Sequence, residues 1–251
     1  MATGGPRRRP ARSGRRPDVP AKGAKAPRRD DRSGAARSDR AARPRADERP
    51  DDRTPPGPFR LGAVPGATPG KWIDIWKQRM PHNPLELIPL EVVDQRAALR
   101  EGLVDAAIVR LPIERDDLSV IPLYDETPVA VCSVESALTA ADELTLADLA
   151  GELVIVPRDD VLGAVVPDAV APAFARLATT ADAIATAATG TGVVLMPMSL
   201  ARLHHRKDVD FRPVVDGPLS SVALAWPTDA TTPLVETFIG IVRGRTANSS
   251  R

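Results

Sequence analysis

An α/β fold is predicted for residues 58–245 of this 251-residue chain. Three observations carry the prediction. Short apolar runs of strand type alternate with helical apolar patterns from residue 59 onward. Gly and Pro fall between them at spacings that suit short loops. The residues before 58 contain no Ile, Leu, Phe, Tyr or Trp, and their only Val is Val19.

Along the chain, residues 59–64 read as a first strand, broken by Pro65, Gly66, Pro69 and Gly70. Residues 71–80 follow as a helix, with Trp72, Ile73, Ile75, Trp76 and Met80 on its apolar face and Pro81 as its stop. Residues 85–90 are a second strand. Asp94 is placed to cap a helix running to about Glu101, and Gly102 stands where a C-terminal glycine belongs. Residues 104–109 form a third strand. This β-α-β-α-β order with short links predicts a parallel sheet. Two more extended runs occupy 118–123 and 127–134. Thr145 and Asp148 have capping-box spacing and open a short helix closed by Gly151. A strand is expected over 153–156, ended by Pro157. The pattern then lapses until the alanine-rich helix at 181–188, which Gly190 stops. Residues 192–197 read as a buried strand, 199–204 as a short helix, and 211–215 and 221–225 as strands. Thr232, Pro233 and Glu236 open a last helix that runs to about Arg243.

Charge divides the chain. Residues 1–57 hold 17 Lys and Arg against 8 Asp and Glu, a net charge of +9, and the remainder carries −8. So little apolar area cannot offset chain entropy, which predicts disorder for 1–57; residues 246–251 are expected to be a disordered end. Ten basic residues, among them Arg7, Arg8, Arg9, Arg15, Arg16, Arg28 and Arg29, crowd into the first 29 positions. Such an arm suits weak, non-specific, salt-sensitive contact with nucleic-acid phosphates. It has no aromatic residue for stacking on bases. The alternative is a solvated extension without a selected partner.

Other classes find little support. The single cysteine, Cys132, precludes an intramolecular disulfide and sits in a strand-like run, as a small buried apolar residue does. No apolar run approaches the ~20 residues of a membrane span, and no hydrophobic stretch follows the N-terminal arginines as a secretory signal requires. A cytoplasmic protein without a membrane partner is expected. There is no Gly-x-Ser-x-Gly elbow, phosphate-loop Gly-Lys motif or His-Glu-x-x-His, so no catalytic residue and no cofactor is assigned. His204 and His205 are adjacent rather than spaced i, i+4, and lack a completing Cys or carboxylate. They read as a solvated basic helix end, and no metal is assigned.

Four phrases bring a resemblance. Residues 97–110 run helix, glycine, Asp105, strand. Residues 118–131 form a strand, Pro122-Leu123-Tyr124, an acid, then another strand. Residues 144–155 carry Leu144-Thr145-Leu146-Ala147-Asp148-Leu149 and a following strand. Residues 183–203 carry Gly190-x-Gly192-Val193-x-Leu195-Met196-Pro197 and a short helix. In this order they resemble the effector-binding, or substrate-binding, domain of LysR-type transcriptional regulators. The resemblance covers about 185 residues. It implies a two-lobed periplasmic-binding-protein type 2 fold, with lobe I at about 58–130 and 212–245 and lobe II at about 131–211. The family's winged helix-turn-helix and linker helix have no counterpart in residues 1–57. The resemblance therefore implies small-molecule sensing rather than sequence-specific repression or activation, without the family's own DNA reader.

In such a fold a ligand sits between the lobes, at strand C-termini and helix N-termini. The loop after the first strand, with Gly66 and Thr68, is the expected first wall, and Val93 and Asp94 the second. Asp94 would disfavour a carboxylate ligand. Arg110 supplies a positive charge, or else a surface ion pair with Glu114. The second lobe offers Arg158 and the turn at Thr189 and Gly190, which reads equally as a helix stop. Trp72 and Trp76 read as core, or as part of a homodimer surface where incompletely covered. Two functions from different classes follow. One is a sensor of an unidentified small-molecule effector; the other is a nucleic-acid-associated accessory or scaffold protein working through the basic arm.

Overall fold

A computed structural model describes residues 57–244; the expectations for residues 1–56 and 245–251, including the seven arm arginines, lie outside the described residues. Among the described residues, eight strands form two sheets. β1 (Phe59–Ala63), β2 (Leu85–Pro89) and β3 (Ala106–Arg110) pair in parallel, in the order β2-β1-β3. β8 (Ser220–Pro227) then adds to β3, and β4 (Leu118–Glu126) to β8, both antiparallel. The expected parallel sheet is thus mixed. Its first three strands are joined by helical crossovers, and β8 and β4 arrive by routes that reverse direction. The second sheet has the order β6-β5-β7, from β6 (Val194–Pro197), β5 (Pro128–Ser133) and β7 (Val209–Pro213), all antiparallel.

The helices bury the stripes that the sequence marks. α1 (Gly70–Arg79) and α5 (Pro233–Val242) cover one face of the five-stranded sheet. There Trp76 stacks on Phe59 with ring centroids 4.6 Å apart, and Phe238 closes the cluster at 5.1 Å from Phe59. Trp76 is fully buried and its indole N–H donates to the Asn83 carbonyl at 2.8 Å, so it is core; Trp72 packs against the same cluster half-covered. α2 (Gln95–Arg100) covers the other face, where Leu99 and Val104 meet Val109 and Ala223. On the second sheet, α3 (Thr180–Ala187) and α4 (Met198–Leu203) pack over Val129 and Val194.

Caps fall where short polar side chains stand before the apolar stripes. Thr232 accepts from the Val235 N–H with Pro233 at the first position of α5. Thr145 and Asp148 form the capping box, but over a 3-10 turn, Leu146–Leu149. The strand expected at 153–156 does not form. Leu153 accepts from the Val193 N–H at 2.9 Å and Ile155 donates to the Val193 carbonyl at 2.8 Å, after which the chain leaves the sheet edge. Pro157 has no N–H to continue the ladder. Residues 157–179 contain no helix or named strand. Cys132 is buried in β5, and burial pushes its thiol pKa up, as befits an inert core residue.

Candidate functional site

Two cavities flank one buried ion pair. β3 ends at Arg110, which is 2% exposed, and β4 ends at Glu126, which is 9% exposed. Arg110 Nη1 donates to Glu126 Oε2 at 2.9 Å and to Ser220 Oγ at 2.7 Å. Its Nη2 donates to Ser199 Oγ at 3.0 Å and to the Pro65 carbonyl at 3.3 Å. Ser199 Oγ in turn donates to Glu126 Oε2 at 2.8 Å. Gln95, at the start of α2, holds the same residue by its backbone: Gln95 Nε2 donates to the Arg110 carbonyl and Gln95 Oε1 accepts from the Arg110 N–H, both at 2.9 Å. Ser199 is the second residue of α4 and Ser220 opens β8. A single guanidinium therefore ties the loop after β1 to both sheets. Its Nε is buried without a hydrogen-bond partner among the described residues.

The larger cavity measures about 890 Å³. From the five-stranded sheet come Pro65, Val92, Val93 and Arg110; from the second-sheet side come Arg158 to Val161, the start of α3, and Leu200 and His204 of the α4 end. The smaller cavity, about 570 Å³, lies against Thr68, Tyr124, Glu126, Met198 and Arg202. Arg110 lines the first and Glu126 the second, so the ion pair is part of the wall between them. Burial raises the Tyr124 phenol above its ordinary pKa, the Glu126 charge raises it further, and Arg110 opposes both.

The start of α3 is already capped. Asp159 accepts from the Thr180 N–H at 2.9 Å and from its hydroxyl at 3.0 Å, and Thr179 Oγ1 accepts from the Asp182 N–H at 3.1 Å. Asp160 accepts from the N–H groups of Leu162 and Gly163, both at 3.0 Å.

The residues singled out in the sequence separate into three groups. Val93, Arg110 and Arg158 line the larger cavity, and Gly66 and Thr68 the smaller one. Asp94, Thr189 and Gly190 line neither. Asp94 closes a 3-10 turn, Val92–Asp94, makes no side-chain capping bond and is exposed, while its neighbour Val93 faces the cavity. Thr189 and Gly190 follow the C-terminal end of α3, whose opposite end reaches the cavity. Thr189 Oγ1 donates to the Thr186 carbonyl at 2.7 Å and Gly190 has φ +78°, so this turn is a helix stop. The suggested Arg110–Glu114 pair is absent: Arg110 is buried on Glu126, and Glu114 pairs with Arg96 at 3.3 Å. Among the described residues no group of His, Cys, Asp and Glu is placed to hold a metal ion, and no helix is long and apolar enough to cross a membrane. Sequence reasoning missed Glu126, Ser199 and Asp159. Glu126 had a signal, an acid at the end of an otherwise apolar strand; the two others had none until the fold brought them to Arg110 and Thr180.

Comparison with known proteins agrees with this architecture. The family model described as LysR substrate binding domain matches residues 52–247. The transcriptional activator HcaR of the hca operon in Escherichia coli strain K12 is 28% identical over 203 residues, covering 75% of this chain and 68% of HcaR. The HTH-type transcriptional regulator CatR of Pseudomonas putida is 29% identical over 168 residues, covering 63% of this chain but only 57% of CatR. Among solved structures, the BenM effector binding domain with its effector benzoate superposes with a TM-score of 0.62 at 19% identity, covering 75% of this chain and 91% of that one. The reduced OxyR regulatory domain from Pseudomonas aeruginosa gives 0.58 at 24% identity, covering 75% and 95%. With the family model matching more than three quarters of its length, the chain belongs to the LysR substrate-binding-domain family.

Proposed function

We propose that this chain is a regulatory module that senses a small molecule in the cavity of about 890 Å³ and passes its occupancy to transcription. The observation that supports this most is the construction of the cavity. Its walls come from segments of both sheets, Val92 and Arg110 on one side and Arg158 and Thr179 on the other. A ligand that touches both sides stabilises one relative placement of the two and so shifts a conformational population. The two sheets then correspond to two lobes, meeting at Glu126–Pro128 and between Pro213 and Ser220. HcaR and CatR, each named as a transcriptional regulator, support the regulatory part. Gly66, Thr68 and Val93 are proposed as ligand-facing positions and Arg158 as the free charge of the site.

A screen of small molecules by thermal shift and calorimetry tests the reading. Hits should stabilise the protein and lose their effect in Ala178→Trp, which fills the exposed cavity mouth without entering a core. Hits indifferent to that substitution would sink the assignment of the cavity.

A second reading, a nucleic-acid-associated accessory protein, is favoured by the +9 charge of residues 1–57. DNA binding that high salt abolishes, and that a chain starting at Pro58 lacks, is its expected signature.

A further inference from the structure

The chemistry of the larger cavity narrows the class of its ligand. Two elements of its lining are suited to receive an anion, the Arg110 guanidinium and the N-terminus of α3, and a third lies just behind it, the paired N–H groups of Leu162 and Gly163 that hold the lining residue Asp160. Each already holds a carboxylate of the protein itself. Glu126 occupies Arg110 at 2.9 Å, and Ser220, Ser199 and the Pro65 carbonyl take the remaining terminal N–H directions. Asp159 occupies the Thr180 N–H and hydroxyl. Asp160 occupies the turn.

What is left over is balanced. Of the charged residues that line the cavity, only Arg158 and Glu91 make no side-chain hydrogen bond or ion pair with another described residue. Both are exposed and of opposite sign. Counting all lining groups, three carboxylates (Glu91, Asp159, Asp160) face two guanidiniums. A ligand carboxylate would give up its hydration with no uncommitted net positive charge to receive it, beside carboxylates that repel it. The apolar part of the wall, by contrast, lacks a cover: Val93 is 86% exposed and Leu203 57%. An apolar ligand gains by removing this surface from water.

We infer that the ligand of this cavity is a compact, mainly apolar molecule without a carboxylate, either uncharged or bearing an amine. The inference rests on the cavity being the ligand site. The test uses matched probes on the full chain: benzoate, benzamide and benzylamine, and the same three groups on naphthalene and cyclohexane. Binding is read by chemical-shift perturbation of residues lining the cavity. Amides or amines should bind at least about tenfold tighter than the carboxylate of the same scaffold. Glu91→Gln, an exposed change, and Asp159→Asn should both narrow that gap by improving carboxylate binding. Carboxylates that bind as tightly as their amides overturn the inference and leave the cavity reading standing. If no probe of any charge perturbs the lining residues, the cavity reading falls and the inference falls with it.

Discussion

Arg110 and Glu126 meet at 2.9 Å with 2% and 9% of their side chains exposed, a charged pair at the junction of two sheets rather than on the surface. Removing one partner leaves the other largely buried and without its counter-charge. Arg110→Met should therefore cost about 3–5 kcal/mol in urea denaturation, and the loss should be insensitive to salt. The double variant Arg110→Met, Glu126→Leu should recover much of it, since two apolar side chains leave no buried charge. A loss in the double variant equal to the sum of the losses in Arg110→Met and Glu126→Leu would show that the pair is not coupled.

Gly66 adopts φ +80°, and a Cβ there would fall on Ser199 Oγ and close to Arg110 Nη2. Gly66→Ala should destabilise by about 1–3 kcal/mol from backbone strain, with a steric part added. Because Ser199→Ala also removes the bonds to Arg110 and Glu126, Gly66→Ala should cost less in the Ser199→Ala background than in the original chain by the steric part alone, measured by the same denaturation. A neutral Gly66→Ala would mean that the loop after β1 is free to rearrange.

Tyr124 is the single tyrosine of the chain, so phenolate absorbance reads it alone. Its pKa is raised, mainly by burial and then by Glu126. The absorbance midpoint should lie above the ordinary value of about 10. Because the folded state holds the proton longer, the associated stability is complete below that ordinary value and is lost as pH rises through the folded-state pKa. Glu126→Gln should lower the midpoint and Arg110→Met should raise it. Identical midpoints in all three proteins would refute this electrostatic account.

Much of the fold was legible because its signals are local. Pro65 and Gly66 break β1, Thr232 and Pro233 start α5, and Gly102 and Gly190 close their helices with positive φ. The failures trace to pairing and packing, which a single sequence does not print. The apolar run at Leu153 looked like a strand, but it makes only an isolated bridge to Val193 on one side and to Val170 on the other before the chain departs. Arg110 was visible as a charge after a strand, yet its partner stands 16 residues on rather than at the nearby Glu114. The Thr189–Gly190 turn was placed on the cavity by its composition, and the structure sets it at the far end of the helix.

The order in which the strands enter the sheets has a consequence for synthesis. The three-stranded sheet draws all its strands from residues between Pro128 and Pro213, so it has its full complement before β8 and α5 leave the ribosome. The five-stranded sheet must wait. β3 gains its second neighbour only when β8 emerges, and Phe59 and Trp76 keep an open flank until Phe238 arrives. A nascent chain that has emerged through β7 but not yet through β8 would thus carry one completed sheet and one with an unpaired strand edge, the kind of surface that chaperones hold and proteases cut.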